Sequence, residues 1–119
     1  MSKLTSSNVV ITLNGDDVTL KPTPRAALAI SSHFGGYRQA IEKLATMDLA
    51  AATTVVAQGA GIKGEAAKGL SEKVYRAGLS NLTPDLIEYV AILANGGRRP
   101  DEAASSGDDE DDDEGNGEA

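Results

Sequence analysis

The acidic C-terminal segment of this chain limits which residues can fold. Residues 101–119 contain ten carboxylates, no lysine or arginine, and no apolar side chain larger than alanine. Such a segment cannot bury enough surface to offset the entropy cost of ordering its backbone. We therefore expect residues 98–119 to form a disordered acidic tail. The first 100 residues hold 8 acids and 11 bases, so a net charge of −7 combines a body of +3 with a tail of −10.

Composition indicates a small domain of modest stability. The chain has one Phe, three Tyr and no Trp, so its core must be built from Ala, Val, Ile and Leu. A core of this kind supplies on the order of a few kcal/mol, and a partner or a homo-oligomer could supply more. No apolar run approaches the roughly 20 residues that cross a bilayer, and the N-terminus lacks the apolar segment of a signal peptide. We therefore expect a soluble protein of the cytoplasm with no membrane partner.

Residues 8–21 have the pattern of a β-hairpin. Residues 9–13 are apolar and β-branched, and residues 18–21 alternate with period two. Asn14 and Gly15 between them tolerate the positive φ angles that a tight hairpin turn requires. We place Asp16 and Asp17 in the same turn, where Asp is common for conformational reasons. Because a two-stranded ribbon is marginal in water, it must pack on the segments that follow.

Helices follow the hairpin. Thr23-Pro24 is a helix start signal, and Gly35-Gly36 is a stop signal. Thr83-Pro84 repeats the start signal and places the start of the last helix at Asp85. The predicted helices cover residues 25–34, 37–44, 49–58, 71–77 and 85–94. The third is apolar nearly all round and is expected to be the central and most buried. The predicted fold class is mainly α with an N-terminal β-hairpin (α+β): a bundle of four to five helices over residues 8–97, with residues 1–7 flexible.

Catalytic, cofactor and metal sites have little support in this sequence. The single histidine, His33, lies at the end of a predicted helix, where a cation is favoured by the helix dipole, and it has no nucleophile-elbow context. Gly59, Gly61 and Gly64 enclose Lys63, but no strand precedes them and no Gly-Lys-Ser/Thr follows, so a phosphate loop is not indicated. The tail carboxylates lack the spacing of a calcium loop. We therefore predict that the protein is not an enzyme and has no cofactor.

The basic residues of the body do not predict a nucleic-acid site. Lys63, Lys68, Lys73 and Arg76 are the nearest approach to a cluster. No aromatic residues alternate with them, and the body carries only a small positive charge. We interpret these residues as a solvated helical face and expect no specific nucleic-acid partner.

The order of these segments resembles a known protein family. The residues that carry the resemblance are a strand and Asn-Gly turn, a short strand that leads at once into an alanine-rich helix, and a Phe-Gly-Gly helix end: Val9-Val10-Ile11-Thr12-Leu13-Asn14-Gly15, then Val18-Thr19-Leu20-Lys21-Pro22-Thr23-Pro24-Arg25-Ala26-Ala27-Leu28, then Phe34-Gly35-Gly36. The chain resembles the gene transfer agent family of small tail proteins, which are similar to the tail assembly chaperones of long-tailed phages. The resemblance covers about residues 8–97 and leaves the acidic tail outside.

The resemblance implies a non-enzymatic role in the cytoplasm of a bacterial host. Tail assembly chaperones bind the tape measure protein, keep its apolar helices soluble before the tube polymerises, and can recruit tail tube protein. An alanine-rich helical domain could offer an apolar groove to a partner helix. We expect the contact residues on the first and last helices, at Leu28, Ile30, Leu86 and Val90.

Two other functions stay open at this stage. The chain could be a minor structural component of the tail, associated with the tube and retained in the virion. It could also be an acidic regulator or a nucleic-acid mimic whose activity resides in the tail. The tail itself has three interpretations: a solubilising segment, a docking segment for a basic partner, or a mimic of nucleic acid.

Overall fold

A computed structural model describes residues 7–99 of the chain. The predicted fold class, a mainly helical domain with an N-terminal β-hairpin, is confirmed. The hairpin consists of β1 (Val9–Leu13) and β2 (Asp16–Leu20). Five helices follow, with a short 3₁₀ turn at Gly64–Ala67 before the fourth: α1 (Pro24–Phe34), α2 (Tyr37–Ala45), α3 (Leu49–Ala60), α4 (Leu70–Ala77) and α5 (Leu79–Ala94). The predicted flexible N-terminus, apart from the buried Ser7, lies outside the described residues. So does the predicted tail from residue 100 onward.

The hairpin turn is shorter than predicted and has two residues. Leu13 pairs with Asp16, so Asn14 and Gly15 alone form the turn, with φ angles of 54° and 87°. These angles match the right-handed twist of the two strands. Asp16 and Asp17, which we expected in the turn, lie instead at the start of β2. Alternate residues of β1 face the helices and are buried, as the period-two pattern of a strand requires.

Side-chain caps fix where two of the helices begin. Thr23 accepts a hydrogen bond from the backbone N–H of Ala26 at 3.1 Å, and Pro24 occupies the first helical position, as predicted. Asp48 accepts from the N–H of Ala51 at 2.8 Å at the start of α3. Gly35 ends α1 in the left-handed conformation, φ 79°, which is why a glycine stands there.

The core lies between the hairpin and the helices, and α3 is central to it. This helix packs against β2 and against each of the other four helices. The predictions that α3 is central and the most buried are both confirmed, because two of its twelve residues are exposed, a smaller share than in any other helix of residues 7–99. Its inward residues are mostly small, whereas α5 contributes more of the large, fully buried side chains: Leu86, Tyr89, Val90 and Ile92.

The last helix begins earlier than the sequence predicted. It starts at Leu79, so Pro84 lies inside it and does not mark its first turn. Pro84 lacks the N–H for one helical hydrogen bond and crowds the carbonyl four residues earlier, while the earlier start includes Leu82, which is buried. Gly78, at φ 94°, reverses the chain between α4 and α5 and lets the helix begin at once. Burial of one further turn therefore outweighs the local start signal of Thr83-Pro84.

Two groups of hydrogen bonds join segments that are distant in the sequence. The N–H of Lys21, just after β2, donates to the carbonyl of Gly59 at 3.0 Å, and the Tyr89 hydroxyl donates to the carbonyl of Lys21 at 2.6 Å. In the second group, Arg99 forms an ion pair with Glu88 and donates to the carbonyl of Asn8 at 3.0 Å. The structured body therefore extends to Arg99, two residues beyond the predicted boundary.

Candidate binding surfaces

Three of the four predicted contact residues belong to the core. Ile30, Leu86 and Val90 have no exposed surface. They are therefore wrong as contact residues for a partner of the folded domain, because their role is to pack the helices together. Leu28 is 70% exposed. It lies two residues from both Ala26 and Ile30, which face inward, so the helical period places it on the outer side of α1.

The outer side of α1 borders an apolar cleft. Residues Pro24, Ala27 and Leu28 share one side of the helix by their spacing, and we call these three residues the α1 face. The adjoining cleft has a volume of about 280 Å³ and is lined by Pro22, Thr23, Pro24, Ala27, Leu93, Gly96 and Gly97. The hydroxyl of Tyr37 donates to the carbonyl of Ala27 at 3.1 Å, which fixes α2 against α1 at this point. The α1 face thus combines an exposed leucine with a shallow apolar surface on a rigid helix.

A second surface lies along the free edge of β1. Here a cleft of about 540 Å³ separates the strand from α4 and the first half of α5. Its walls are formed by Val10, Ile11, Thr12, Asn14, Gly15, Arg76, Ala77, Asn81, Leu82 and Asp85. Val10 is 55% exposed although it lies within a run of apolar residues. We did not single it out from the sequence, but strand alternation could have shown it, because Val10 must face away from its inward neighbours Val9 and Ile11.

His33 lies in a third cleft, among groups that have structural roles. This cleft, of about 600 Å³, lies between α1, α2 and α3 and includes Phe34, Lys43 and Asp48. The His33 ring meets the Phe34 ring edge-on, with centroids 4.7 Å apart. The N–H of Ala51 and then the ammonium of Lys43, 3.3 Å away, hold the pKa of the Asp48 carboxyl below its usual value. Asp48 is therefore ionised and engaged in capping α3, a structural use of the carboxylate.

The basic residues near α4 are partly neutralised by neighbouring acids. Lys68 pairs with Glu65 at 3.2 Å, and Arg76 pairs with Glu72 at 2.9 Å. All four side chains are exposed, so each pair contributes little to stability. This pattern agrees with the interpretation of these residues as a solvated helical face.

Burial changes the acidity of one tyrosine. Tyr89 is fully buried between α3, α5 and the end of the hairpin, and its hydroxyl is held by the Lys21 carbonyl. Desolvation of the charged form, followed by the influence of Tyr37, raises the pKa of Tyr89 to about 12. The neutral phenol is therefore a structural donor over the whole physiological pH range.

Neither a metal-ligand cluster nor a membrane-spanning helix is found within residues 7–99. In this part of the chain no three or more His, Cys, Asp or Glu side chains are grouped so that they could hold a metal ion. None of the helices described here combines the length and apolar character needed to span a bilayer. Comparison with protein-family models, curated proteins and solved structures found no match to this chain.

Proposed function

We propose that this chain is a tail assembly chaperone-like protein, a non-enzymatic module that binds the tape measure protein, the tail tube protein or both during tail assembly. Support comes from the resemblance of residues 8–97 to small tail proteins and from the exposed α1 face. The observation that carries the proposal is the 70% exposure of Leu28 on the same side of α1 as Pro24 and Ala27, which line an apolar cleft. A single exposed leucine is common on protein surfaces, so the proposal depends on the position of Leu28 beside the cleft and not on its exposure alone.

The α1 face suits an amphipathic partner helix. Pro24 and Ala27 are short side chains that allow a second helix to approach closely, and Leu28 can insert between the partner's side chains. Complete burial of one leucine contributes about 1.5–3 kcal/mol, so a single anchor of this kind supports reversible binding. A chaperone must release its client when the tail tube polymerises, and moderate affinity serves that purpose.

The acidic segment acts on the solubility and the encounter rate of such a complex. Its ten carboxylates repel other loaded complexes, and they attract basic stretches of a partner over roughly one Debye length. Added Asp and Glu favour solubility more than added Lys and Arg do. In this proposal the segment from residue 101 onward therefore assists binding, while the α1 face determines which partner is bound.

Co-expression tests the proposal. The candidate client, a long helical tail protein chosen from the genome that encodes this chain, is produced alone and together with the full chain, and the soluble fraction of each culture is compared. We expect the tail protein to be markedly more soluble with the chain present. Equal solubility in both cultures would remove the support for a chaperone.

A minor structural role in the tail is the second candidate. The open edge of β1 favours it, because unprotected strand edges are surfaces through which subunits pair. Mass spectrometry of purified particles separates the two functions. Stoichiometric presence of this chain would favour the structural component, and absence from the particle would favour a chaperone that leaves before maturation.

A further inference from the structure

We propose that the β1 edge accepts an extended, basic segment of a partner polypeptide as a third strand of the sheet. This binding mode is distinct from the helix docking proposed for the α1 face and does not depend on the identity of the partner. It rests on the backbone geometry of the hairpin, on the sequence of β1 and on the charges that line the adjoining cleft.

The register of the hairpin determines which backbone groups face the cleft. Leu13 and Asp16 flank a two-residue turn, and such a pair exchanges both of its N–H and C=O groups across the hairpin. The hydrogen-bonded pairs then continue at every second residue, through Ile11 and Val9. The N–H and C=O groups of Val10 and Thr12 consequently point away from β2. These four groups match the hydrogen-bonding pattern of one more extended chain.

Helices α4 and α5 pack against β1 and leave the cleft between them and the strand, while β1 itself has none of the features that prevent strand addition. Residues Val9–Leu13 include no charge and no proline, and the strand pairs with β2 in continuous register without a bulge. The other strand of the hairpin carries Asp16 and Asp17. Natural sheets protect exposed edges with charges, prolines or bulges, so the difference between the two strands leaves β1 as the receptive edge.

The charges lining the cleft indicate which kind of segment binds. Arg76 is already paired with Glu72 at 2.9 Å. Asp85 is half-buried and makes no ion pair with any residue in the range 7–99. An added strand with a lysine or arginine near Asp85 would supply that ion pair, and small or β-branched residues would fit beside Ala77 and Leu82.

Two other occupants fit the β1 edge less well. A second copy of the chain brings the same net charge of −7. Pairing of two five-residue strands also buries far less than the roughly 1,000 Å² that a stable interface needs. The chain's own segment 101–119 carries ten carboxylates and no basic residue, and would be repelled by Asp85. A basic segment of a different polypeptide avoids these charge repulsions, and because it buries an equally small area on the five-residue strand we expect its binding to be weak.

A peptide titration followed by NMR tests this inference. The full chain, labelled with ¹⁵N, is titrated with an acetylated and amidated peptide of sequence Lys-Val-Thr-Val-Thr-Val-Lys. We expect the amide protons of Val10 and Thr12 to move downfield and to exchange with solvent at least about tenfold more slowly, as newly hydrogen-bonded amides do. Shifts confined to other parts of the domain, or no shifts at millimolar peptide, would overturn the proposal.

Matched variants make the test specific to the β1 edge. Val10→Pro removes an outward N–H without touching the pairing to β2, and Thr19→Pro makes the same change directly opposite, on the β2 edge. The first should abolish peptide binding and the second should preserve it, with the helical amide signals of both variants reporting that the domain is folded. If either variant unfolds, the wild-type chain with a peptide N-methylated at alternate residues replaces the comparison, and undiminished binding of that peptide would refute strand addition.

Charge and partner specificity are tested separately. Asp85→Asn should weaken binding of the lysine-flanked peptide about two- to fivefold, the effect of losing a surface ion pair. Leu28→Ser should leave peptide binding unchanged, because Leu28 lies on a different surface. Loss of peptide binding in Leu28→Ser would contradict the separation of the two surfaces, whereas loss of client solubility with intact peptide binding is the result that docking through the α1 face predicts.

Discussion

The close approach of Gly59 to Tyr89 leads to a prediction opposite in sign to the usual effect of alanine in a helix. Gly59 lies in the last turn of α3, where the exchange of glycine for alanine ordinarily stabilises by about 1 kcal/mol. A Cβ at this position would lie 3.0 Å from Cζ of Tyr89 and 3.1 Å from Cβ of Leu20. Both neighbours are fully buried, so neither can move freely. We therefore expect Gly59→Ala to destabilise the domain.

The size of the effect follows from three contributions. Overpacking a dense core costs about 1–3 kcal/mol, and this exceeds the helix-propensity gain of about 1 kcal/mol. Displacement of the Tyr89 ring also stretches the 2.6 Å hydrogen bond to the Lys21 carbonyl, which contributes about 1 kcal/mol. The expected net loss is about 1–2 kcal/mol in the free energy of unfolding. In a domain of this size each kcal/mol lowers Tm by roughly 4–8 °C.

Urea denaturation followed by circular dichroism measures this change. Gln58→Ala, one residue earlier and exposed, is the control for helix propensity and should change stability by less than about 0.5 kcal/mol. In a Tyr89→Leu background the penalty of Gly59→Ala should shrink, because the ring that the new methyl group meets is absent. A Gly59→Ala variant that is about 1 kcal/mol more stable than the wild type would refute the contact between α3, α5 and the hairpin.

Three further predictions concern titrating groups and the acidic segment. Because the pKa of Tyr89 is raised to about 12, its contribution to stability is fully present below pH 10 and is lost as the pH rises towards 12. Tyr89→Phe should therefore weaken the loss of stability at alkaline pH, and it should cost about 1 kcal/mol in the free energy of unfolding at neutral pH. Because the pKa of Asp48 is lowered in the folded state, its contribution to stability is present above the pKa of the unfolded state and is lost as the pH falls through the pKa of the folded state. Asp48→Asn should keep the cap but weaken the dependence of the urea midpoint on pH below about 4. An unchanged dependence at acid pH would contradict this. A chain ending at Pro100 should unfold cooperatively in calorimetry with the stability of the full chain; if client solubility is lost with the acidic segment while the body stays folded, the activity resides in that segment, as an acidic regulator would require.

Local signals in the sequence account for most of the fold. The turn at Asn14-Gly15 and the cap at Thr23 depend on backbone conformation and on hydrogen bonds within three residues, so they could be predicted without knowledge of the packing. The start of α5 could not, because its first turn forms through burial of Leu82, a tertiary effect that outweighs the start signal at Pro84. Sequence reasoning fails in this way when burial and local propensity disagree.

The binding surfaces were harder to predict than the fold. Apolar residues on a helix share the same chemistry whether they face the core or a partner, so Ile30 and Leu28 could not be distinguished by residue type. The angular position of Leu28 relative to Ala26 and Ile30 does distinguish them, once it is known which side of α1 meets the core. The β1 edge depends on the packing of α4 and α5 as well, and a sequence does not show where these helices leave a cleft beside the strand.

The function of the α1 face is tested most directly by replacing two residues that are almost equally exposed. Leu28 and Tyr75 are 70% and 68% exposed, on α1 and α4 respectively. Each is replaced by serine in the full chain, and each variant is co-expressed with the long helical tail protein. We predict that Leu28→Ser lowers the soluble yield of that protein towards the level without the chain, whereas Tyr75→Ser leaves the yield unchanged. Equal yields with both variants and the wild type, or a loss confined to Tyr75→Ser, would contradict docking through the α1 face.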